Sequence, residues 1–349
     1  MKIKVDQINT KNRNFKNIFQ KKIETVRLVD NSIVKIVSSI IKSIKKNGDK
    51  ALQKYINKYD GYILRNIKNI VITSSQIKQA YKNVSKYEIN NLKKSIKRIK
   101  SFSQKQSISS WKENKQNTML GEKITPIESV GIYVPGGKAS YPSTVMMNTI
   151  PAKVAGVKNI IMSCPLGNID KHSLVLVAAD LCGVDKIFNI GGAHAIAALA
   201  YGTKTVPKVD KIVGPGNIFV TLAKKSLFGE VGIDNIAGPS EVVIIADQSA
   251  NPKWIAIDLF SQAEHDELSQ AILISSSLKL INSVEIEMNK LIRGLSRKKI
   301  IQKSLNKRGI FIKTKSLDES CKLANDIAPE HLGIICNQNH KALKMIKNA

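Results

Sequence analysis

The chain has 349 residues, 43% of them hydrophobic, with 55 lysines and arginines against 27 aspartates and glutamates, a formal net charge of +28. This length and apolar content are enough for two globular domains with their own cores, which excludes a disordered chain. The positive charge is nearly all lysine, whereas arginine is the preferred side chain for reading bases and binding phosphates, so a nucleic-acid partner is disfavoured. Lys, Ile and Asn are all abundant and have A/T-rich codons, and we interpret the charge mainly as compositional drift.

The cysteines and the apolar runs indicate the compartment. Four cysteines, at 164, 182, 321 and 336, form no CxxC pair and match no zinc-ribbon spacing, which predicts buried free thiols in a reducing environment. No signal peptide opens the chain, and no apolar run approaches the roughly 20 residues that span a bilayer. The sequence therefore predicts a cytoplasmic protein without membrane contact.

The first 130 residues are predicted to be mainly helical. Residues 1–30 are polar and rich in Lys and Asn, which predicts an N-terminal arm that is mobile or packs on a partner. An apolar stripe beginning at Ile33 predicts a helix that stops at Gly48. Residues 70–73 are predicted to form a strand, and a further helix with a solvated basic face is predicted over 89–99.

From residue 128 onward, strands alternate with helices. Because strands separated by 10–15-residue helices imply a parallel sheet with right-handed crossovers, the pattern predicts an α/β fold with two Rossmann-like domains. No GxGxxG motif follows the first of these strands, so any phosphate must be bound by other loops. The predicted strands cover 130–134, 159–163, 186–190, 209–213, 242–246, 271–274, 309–313 and 332–336.

Two polar stretches are candidates for chemistry. On a helix predicted from Pro252, Gln262 and His265 would share one face at i and i+3, and imidazole is a good zinc ligand. The alternative is a solvated polar cluster at a helix end. Glu330 and His331 directly precede the apolar run LGIIC, and an adjacent carboxylate and imidazole can act as an acid–base pair. Either stretch alone is a weak signal.

Six motifs occur in a fixed order along the chain: VGIYVPGG (130–137), GGAHAIAALAYGT (191–203), VGPGN (213–217), AGPSEV (237–242), SQAEHD (261–266) and APEHL (328–332). Taken together, they resemble the histidinol dehydrogenase family, from about Asn31 to the last residue. The resemblance implies oxidation of L-histidinol to L-histidine in two steps, through a bound aldehyde, by a zinc-dependent homodimer that uses two NAD⁺. It also implies an outer α/β domain from 31–130 plus 240–349 and an inner Rossmann-like domain over 131–239.

Five residues match the family's zinc, substrate and catalytic positions. Gln262 and His265 match two zinc ligands, and this zinc would orient the imidazole and amine of the substrate. His331 matches the general base that takes protons from the alcohol and then from the hydrate, in contact with substrate. Glu330 matches the residue that activates the attacking water. Ser240 matches a substrate-contacting serine, although it could also be a turn residue after Gly-Pro.

Three residues match positions that hold NAD. Tyr133 and Asn217 match directly, with the alternatives that Tyr133 is a strand aromatic and that Asn217 caps the helix beginning at residue 218. His194 stands where the family usually has a cofactor-contacting Gln, and an imidazole replaces only part of the amide's hydrogen bonding. His172 and His340 match no family position and are predicted to lie on the surface.

The family continues beyond the position matched by Ala349 with further zinc and substrate ligands, some of which reach across the dimer. Their absence from this sequence, through natural decay or an incomplete record, predicts weak zinc binding, negligible turnover and a weakened homodimer. Two alternatives stay open: a non-catalytic relict that still binds NAD, and a basic nucleic-acid-binding protein.

Overall fold

The computed structural model describes residues 2–24, 31–136, 141–167, 169–236, 238 and 240–349. The chain forms two compact units. Met1–Val29 and Gly238–Ala349 make up one of them, here called the terminal unit, and Asp30–Ala237 make up the other, the central unit. Within the described residues, no helix is both long and apolar enough to cross a bilayer.

In the described part of the chain, strands and helices are numbered from the N-terminus. The strands are β1 (Asp6–Asn9), β2 (Trp111–Lys115), β3 (Thr118–Glu122), β4 (Ser129–Tyr133), β5 (Asn159–Ser163), β6 (Lys186–Phe188), β7 (Lys211–Val213), β8 (Gly232–Ile233), β9 (Glu241–Ala246), β10 (Gln270–Ser275), β11 (Ile310–Lys313) and β12 (His331–Ile335). The α-helices are α1 (Phe15–Glu24), α2 (Asn31–Tyr59), α3 (Ser74–Lys82), α4 (Lys86–Gln104), α5 (Pro142–Ala155), α6 (Ser173–Cys182), α7 (Gly192–Tyr201), α8 (Ile218–Leu227), α9 (Pro252–Ala263), α10 (Leu278–Leu291), α11 (Lys298–Arg308), α12 (Leu317–Ile327) and α13 (Asn339–Met345). Short 3₁₀ helices cover Ile67–Ile70, Ile169–His172 and Ile292–Gly294.

The terminal unit is built on a parallel sheet in the order β1-β11-β10-β9-β12. Both faces of this sheet are covered, because Val242 and Ile244 of β9 face one apolar cluster while Val243 and Ile245 face another. Helices α9, α10 and α11 cover the first face, and α1, α12 and α13 cover the second. Burial on both faces explains why its central strands read as continuous apolar runs.

The N-terminal residues differ from the predicted arm. Strand β1 pairs in parallel with β11, with Asp6 opposite Ile310. Ile3 and Val5 are buried in the core of the terminal unit. A short strand of this kind covers the open edge of β11, whose backbone groups would otherwise lack partners.

The central unit has a second parallel sheet, in the order β6-β5-β4-β7-β8. The chain starts in the middle at β4, winds outward through β5 to β6, and then returns to continue through β7 to β8 on the other side. This doubly wound order places a topological switch point between β4 and β7. Helices α3, α4, α5 and α6 cover one face of the sheet, and α2, α7 and α8 cover the other.

The central unit also departs from the predicted boundaries. Residues 31–130 pack with the sheet of 129–233, because α2 buries its apolar stripe against α7 and α8. Helix α2 is interrupted at Gly48 (φ 50°, ψ −128°), in agreement with the predicted stop. The strand predicted over 70–73 is wrong: a 3₁₀ helix ends at Ile70, and only Val71 forms an isolated antiparallel bridge, to Phe188.

The cysteines provide a test of core burial. All four are free; Cys164, Cys182 and Cys321 are buried and Cys336 is half-buried. Burial raises the pKa of both Cys164 and Cys182 to about 12. We expect a thiol reagent at pH 8 to label Cys336 first and to leave Cys164 and Cys182 unmodified until urea unfolds the chain, since only about 10⁻⁴ of each is thiolate. Loss of the fast phase in Cys336→Ser is the control, and rapid labelling of four thiols in the folded protein would contradict the burial.

Candidate functional site

A cavity of about 660 Å³ lies at the C-terminal edge of the sheet in the central unit. Its walls are the loops that follow β4, β5, β6 and β7, so it opens where the strand order reverses. In open parallel sheets, ligands bind in this crevice beyond the carboxyl ends of the strands. The residues that line it include Tyr59, Asp60, Tyr133, Pro135, Gly136, Pro165, Leu166, Gly167, Lys171, His172, Gly191, Gly192, His194 and Asn217.

Two glycines give the cavity its shape by allowing its loops to approach each other. A Cβ atom on Gly136 would lie 2.0 Å from the carbonyl oxygen of Pro165, and a Cβ on Gly191 would lie 2.7 Å from the Pro165 side chain. Only glycine fits such close approaches. The glycines of the motifs over 130–137 and 191–203 thus act through packing around Pro165.

Tyr133 is the last residue of β4 and is almost fully buried. Its hydroxyl oxygen accepts a hydrogen bond from the backbone N–H of Gly192, at 3.1 Å. Burial raises the pKa of Tyr133 above its ordinary value, so the hydroxyl keeps its proton at neutral pH. The tyrosine therefore connects β4 to the start of α7 and presents a hydroxyl donor at the cavity.

His194, in the first turn of α7, is 1% exposed and lies against a buried carboxylate. Its Nε2 is 3.1 Å from Oδ2 of Asp60, which also accepts a hydrogen bond from the N–H of Gly191 at 3.2 Å. The rings of Tyr55 and Tyr59 stack on the imidazole with centroids at 6.3 Å. Asp60 was not predicted from the sequence, because a single carboxylate in the turn after α2 does not belong to any periodic pattern of residues.

Asn217 is the N-cap residue of α8. Its Oδ1 accepts hydrogen bonds from the N–H groups of Phe219 at 3.1 Å and Val220 at 3.2 Å. The capping alternative is therefore present in the structure. The same side chain is exposed at the cavity wall, and its Nδ2 group makes no hydrogen bond to a described residue. Asn217 can cap the helix and donate to a ligand at once.

His172 is not on the surface as predicted. It is 8% exposed and lines the cavity together with Lys171. Burial lowers the pKa of His172, and the neighbouring Lys171 lowers it further, so the imidazole is neutral at pH 7. The prediction failed because the loop before α6 folds inward over the cavity. His340, in contrast, is exposed on α13, as predicted.

In the terminal unit, the predicted zinc, substrate and catalytic residues lie at the N-terminal edge of the sheet. Ser240 precedes β9, and its carbonyl oxygen accepts from the N–H of Gln270, the first residue of β10, at 2.9 Å. Gln262 lies in the last turn of α9, which runs back toward this edge. His331 opens β12 opposite Val242 of β9. Parallel register therefore places these residues at one edge of the sheet.

Of the pair predicted to share a helix, Gln262 lies on the helix and His265 does not. Helix α9 ends at Ala263, and His265 lies in the turn that follows, where its N–H donates to the carbonyl oxygen of Gln262 at 3.1 Å. Gln262 is half-buried, whereas His265 is exposed. The helix ends because Glu264 begins a run of charged residues with no apolar position to bury.

Glu330 and His331 form a loose pair. Oε1 of Glu330 lies 3.9 Å from Nε2 of His331, and each side chain is 53% exposed. Ala328, two residues before Glu330, has a left-handed backbone (φ 51°) that ends α12 and turns the chain into β12. The pair is thus held at the start of a strand and is accessible to a ligand and to water.

The donors at this edge do not by themselves make a zinc site. Gln262 and His265 offer two neutral donors, whereas zinc takes about four ligands. Among the described residues, no group of three or more His, Cys, Asp and Glu side chains is arranged to hold a metal ion.

Arg308 lies at the same edge of the sheet and was not predicted from the sequence. It is 2% exposed, and its Nη2 donates a hydrogen bond to Oε1 of Gln270 at 2.7 Å.

The chain is similar to known proteins over most of its length. A family model described as histidinol dehydrogenase matches residues 24–349. Histidinol dehydrogenase of Neisseria meningitidis serogroup A is 47% identical over 316 residues, which cover 90% of this chain and 74% of that protein. Histidinol dehydrogenase of Sulfurimonas denitrificans is 44% identical over 341 residues, or 97% and 79% of the two chains. The crystal structure of histidinol dehydrogenase from Elizabethkingia anophelis superposes with a TM-score of 0.91 at 32% identity, over 100% of this chain and 80% of that one.

Proposed function

Because the chain belongs to the histidinol dehydrogenase family, whose members are oxidoreductases of histidine biosynthesis, we propose that it oxidises L-histidinol to L-histidine with NAD⁺. The predicted family is confirmed by these matches. The predicted α/β class is confirmed as well, with two parallel sheets of which one joins segments from both ends of the chain. We also propose the homodimer that the family resemblance implies.

The cofactor assignment rests on one observation. Tyr133, His194 and Asn217 are far apart in sequence and belong to different loops, yet all three line the one cavity at the switch point. Crevices of this kind bind nucleotides in doubly wound folds. The cavity offers a tyrosine hydroxyl, an amide and a buried imidazole beside aromatic rings, a set suited to a dinucleotide. We assign NAD to this cavity; when bound, NAD⁺ supplies the hydride acceptor for each oxidation.

We assign the proton transfers to the half-exposed pair at the start of β12. His331 would take the proton of the substrate hydroxyl, and later that of the aldehyde hydrate, as general base. Glu330 would draw a proton from the water that attacks the aldehyde carbon. The exposure of both side chains supports this role, because a substrate group can reach them directly.

Ser240, Gln262 and His265 are assigned to substrate contacts at the same sheet edge. Their hydroxyl, amide and imidazole groups can bind the polar imidazole and amine of histidinol. The family uses zinc, and Gln262 and His265 match two of its ligands. Since these two neutral donors do not complete a zinc site, we derive no catalytic step through the metal.

An NAD⁺ titration followed by calorimetry tests the cofactor site. We expect saturable binding by the wild type and about fivefold tighter binding by His194→Gln, since a glutamine amide can bond to Asp60 and still offer a second group, a gain on the order of 1 kcal/mol. His340→Gln, on the exposed face of α13, is the matched control. Equal affinities of His194→Gln and wild type would show that residue 194 does not reach the cofactor, and absence of binding would overturn the proposed function.

A further inference from the structure

Asp60 is a buried carboxylate with one oxygen engaged and one directed to no described partner. It follows the last residue of α2, its side chain is 5% exposed, and it lines the cavity of the central unit. Oδ2 accepts from the N–H of Gly191 and lies beside Nε2 of His194, whereas Oδ1 makes no hydrogen bond to a described residue. The side chain is therefore held in place and keeps one acceptor for a ligand.

We propose that Asp60 is a specificity-determining residue, which accepts a hydrogen bond from the 2′-hydroxyl of the adenosine ribose and thereby selects NAD over NADP. The inference rests on the proposed cofactor site. A ribose hydroxyl donates to a carboxylate, whereas a 2′-phosphate would place a further negative charge beside a carboxylate whose side chain is 5% exposed. Rossmann-type sites use an acidic residue for the same distinction.

The start of α7 supports a hydroxyl ligand beside Asp60 and argues against a phosphate there. Helix N-termini bind phosphates through free backbone N–H groups. Here the N–H of Gly191 is bonded to Asp60, and that of Gly192 is bonded to the hydroxyl of Tyr133. These two N–H groups are thus already bonded within the protein, and a phosphate that binds to them would have to displace their partners.

Among the described residues of the loop after β5, those that line the cavity include no acid. In the usual dinucleotide fold, the ribose-binding acid follows the second strand of the sheet, which here is β5. That strand ends in Ser163 and is followed by Cys164 and Pro165, and the Ser163 hydroxyl is bonded to the carbonyl oxygen of Ile190. The carboxylate of Asp60, at the end of α2, can therefore take a role that these cavity-lining residues of the β5 loop do not supply.

Other charged and titratable groups line the same cavity. They are His194 beside Asp60, the protonated hydroxyl of Tyr133, the half-exposed Tyr59, and Lys171 with His172 on the loop before α6. Of these, Lys171 is the basic side chain, and it belongs to a different loop from Asp60. The cavity thus has an acidic side chain on one wall and a basic side chain on another.

The test compares dissociation constants for NAD⁺ and NADP⁺ in wild type and Asp60→Asn. We expect wild type to prefer NAD⁺ by about 100-fold or more, and Asp60→Asn to reduce that ratio to about tenfold or less, because the amide removes the charge but keeps a polar group for Gly191. Asp180→Asn is the matched control, since Asp180 is exposed on α6, where it accepts from Tyr81. A folded Asp60→Asn with an unchanged ratio would overturn the assignment while leaving the cofactor site in place.

A measurement on wild type alone covers the case in which the variant does not fold. We expect the analogue of NAD⁺ that lacks the adenosine 2′-hydroxyl to bind about tenfold more weakly, since Oδ1 of Asp60 loses its donor. Equal affinity for this analogue and NAD⁺, or equal affinity for NADP⁺ and NAD⁺, would overturn the inference. Failure of wild type to bind NAD⁺ at all would overturn the proposed function, and this inference with it.

Discussion

Replacing His331 by Asn is expected to lower the rate of NADH formation from L-histidinol by about 10²–10⁴-fold, the usual contribution of a general base. Asparagine keeps the size and polarity of the side chain but cannot take up the proton at neutral pH. Because His331 is 53% exposed at the first position of β12, the free energy of unfolding should change little. The measurement, made on the chain carrying the family's C-terminal segment, is steady-state absorbance at 340 nm with saturating histidinol, NAD⁺ and added zinc, together with urea unfolding of both proteins.

Two further variants make this test specific. His340→Asn changes the other histidine beyond α12, which is exposed on α13, and should keep the wild-type rate. Glu330→Gln should slow the oxidation of the aldehyde more than that of the alcohol, so the yield should fall from two NADH per histidinol toward one. Wild-type rates in His331→Asn would remove it from the mechanism, and two NADH at an unchanged rate in Glu330→Gln would remove the proposed role in water activation.

Most strands of the two parallel sheets could be predicted from the sequence, for a physical reason. Strands buried on both faces require apolar runs, and β5 and β10 are read directly from 159–163 and 271–274. The hairpin of β2 and β3 was not predicted, because every residue in it is exposed and no alternation marks a buried face. Its tight turn is visible only as Gln116-Asn117, both with positive φ.

The motifs of the candidate site could be found in the sequence, but the contacts between its residues could not be predicted from it. Tyr133, His194 and Asn217 were selected by resemblance, and only the fold shows that they line one cavity. Asp60 could not be found this way, because its role depends on α2 packing against α7, a contact across more than a hundred residues. His265 was placed on a helix that ends two residues earlier, which is the usual uncertainty of a helix boundary.

Substitution of Gly214 by Ala is expected to destabilise the central unit by about 2–5 kcal/mol, from left-handed backbone strain together with an overlap in the core. Gly214 follows β7 with φ +109°, and an added Cβ would lie 2.1 Å from the carbonyl oxygen of Tyr133. The residue cannot easily shift, because its N–H donates to Asp234 at 2.7 Å and its carbonyl oxygen accepts from the buried Lys224 at 3.0 Å. Since Tyr133 must move instead, NAD⁺ affinity should fall together with the urea midpoint.

Gly229→Ala separates the two causes. Gly229 has nearly the same backbone angle, φ +102°, but nothing lies within 4 Å of a Cβ added there. Its substitution should therefore cost only the strain of the left-handed conformation, about 1–2 kcal/mol, and leave NAD⁺ affinity unchanged. The difference between the two variants measures the overlap with Tyr133. Equal destabilisation by both would mean that the loop after β7 relaxes without displacing Tyr133, and the cavity would then not depend on a glycine at position 214.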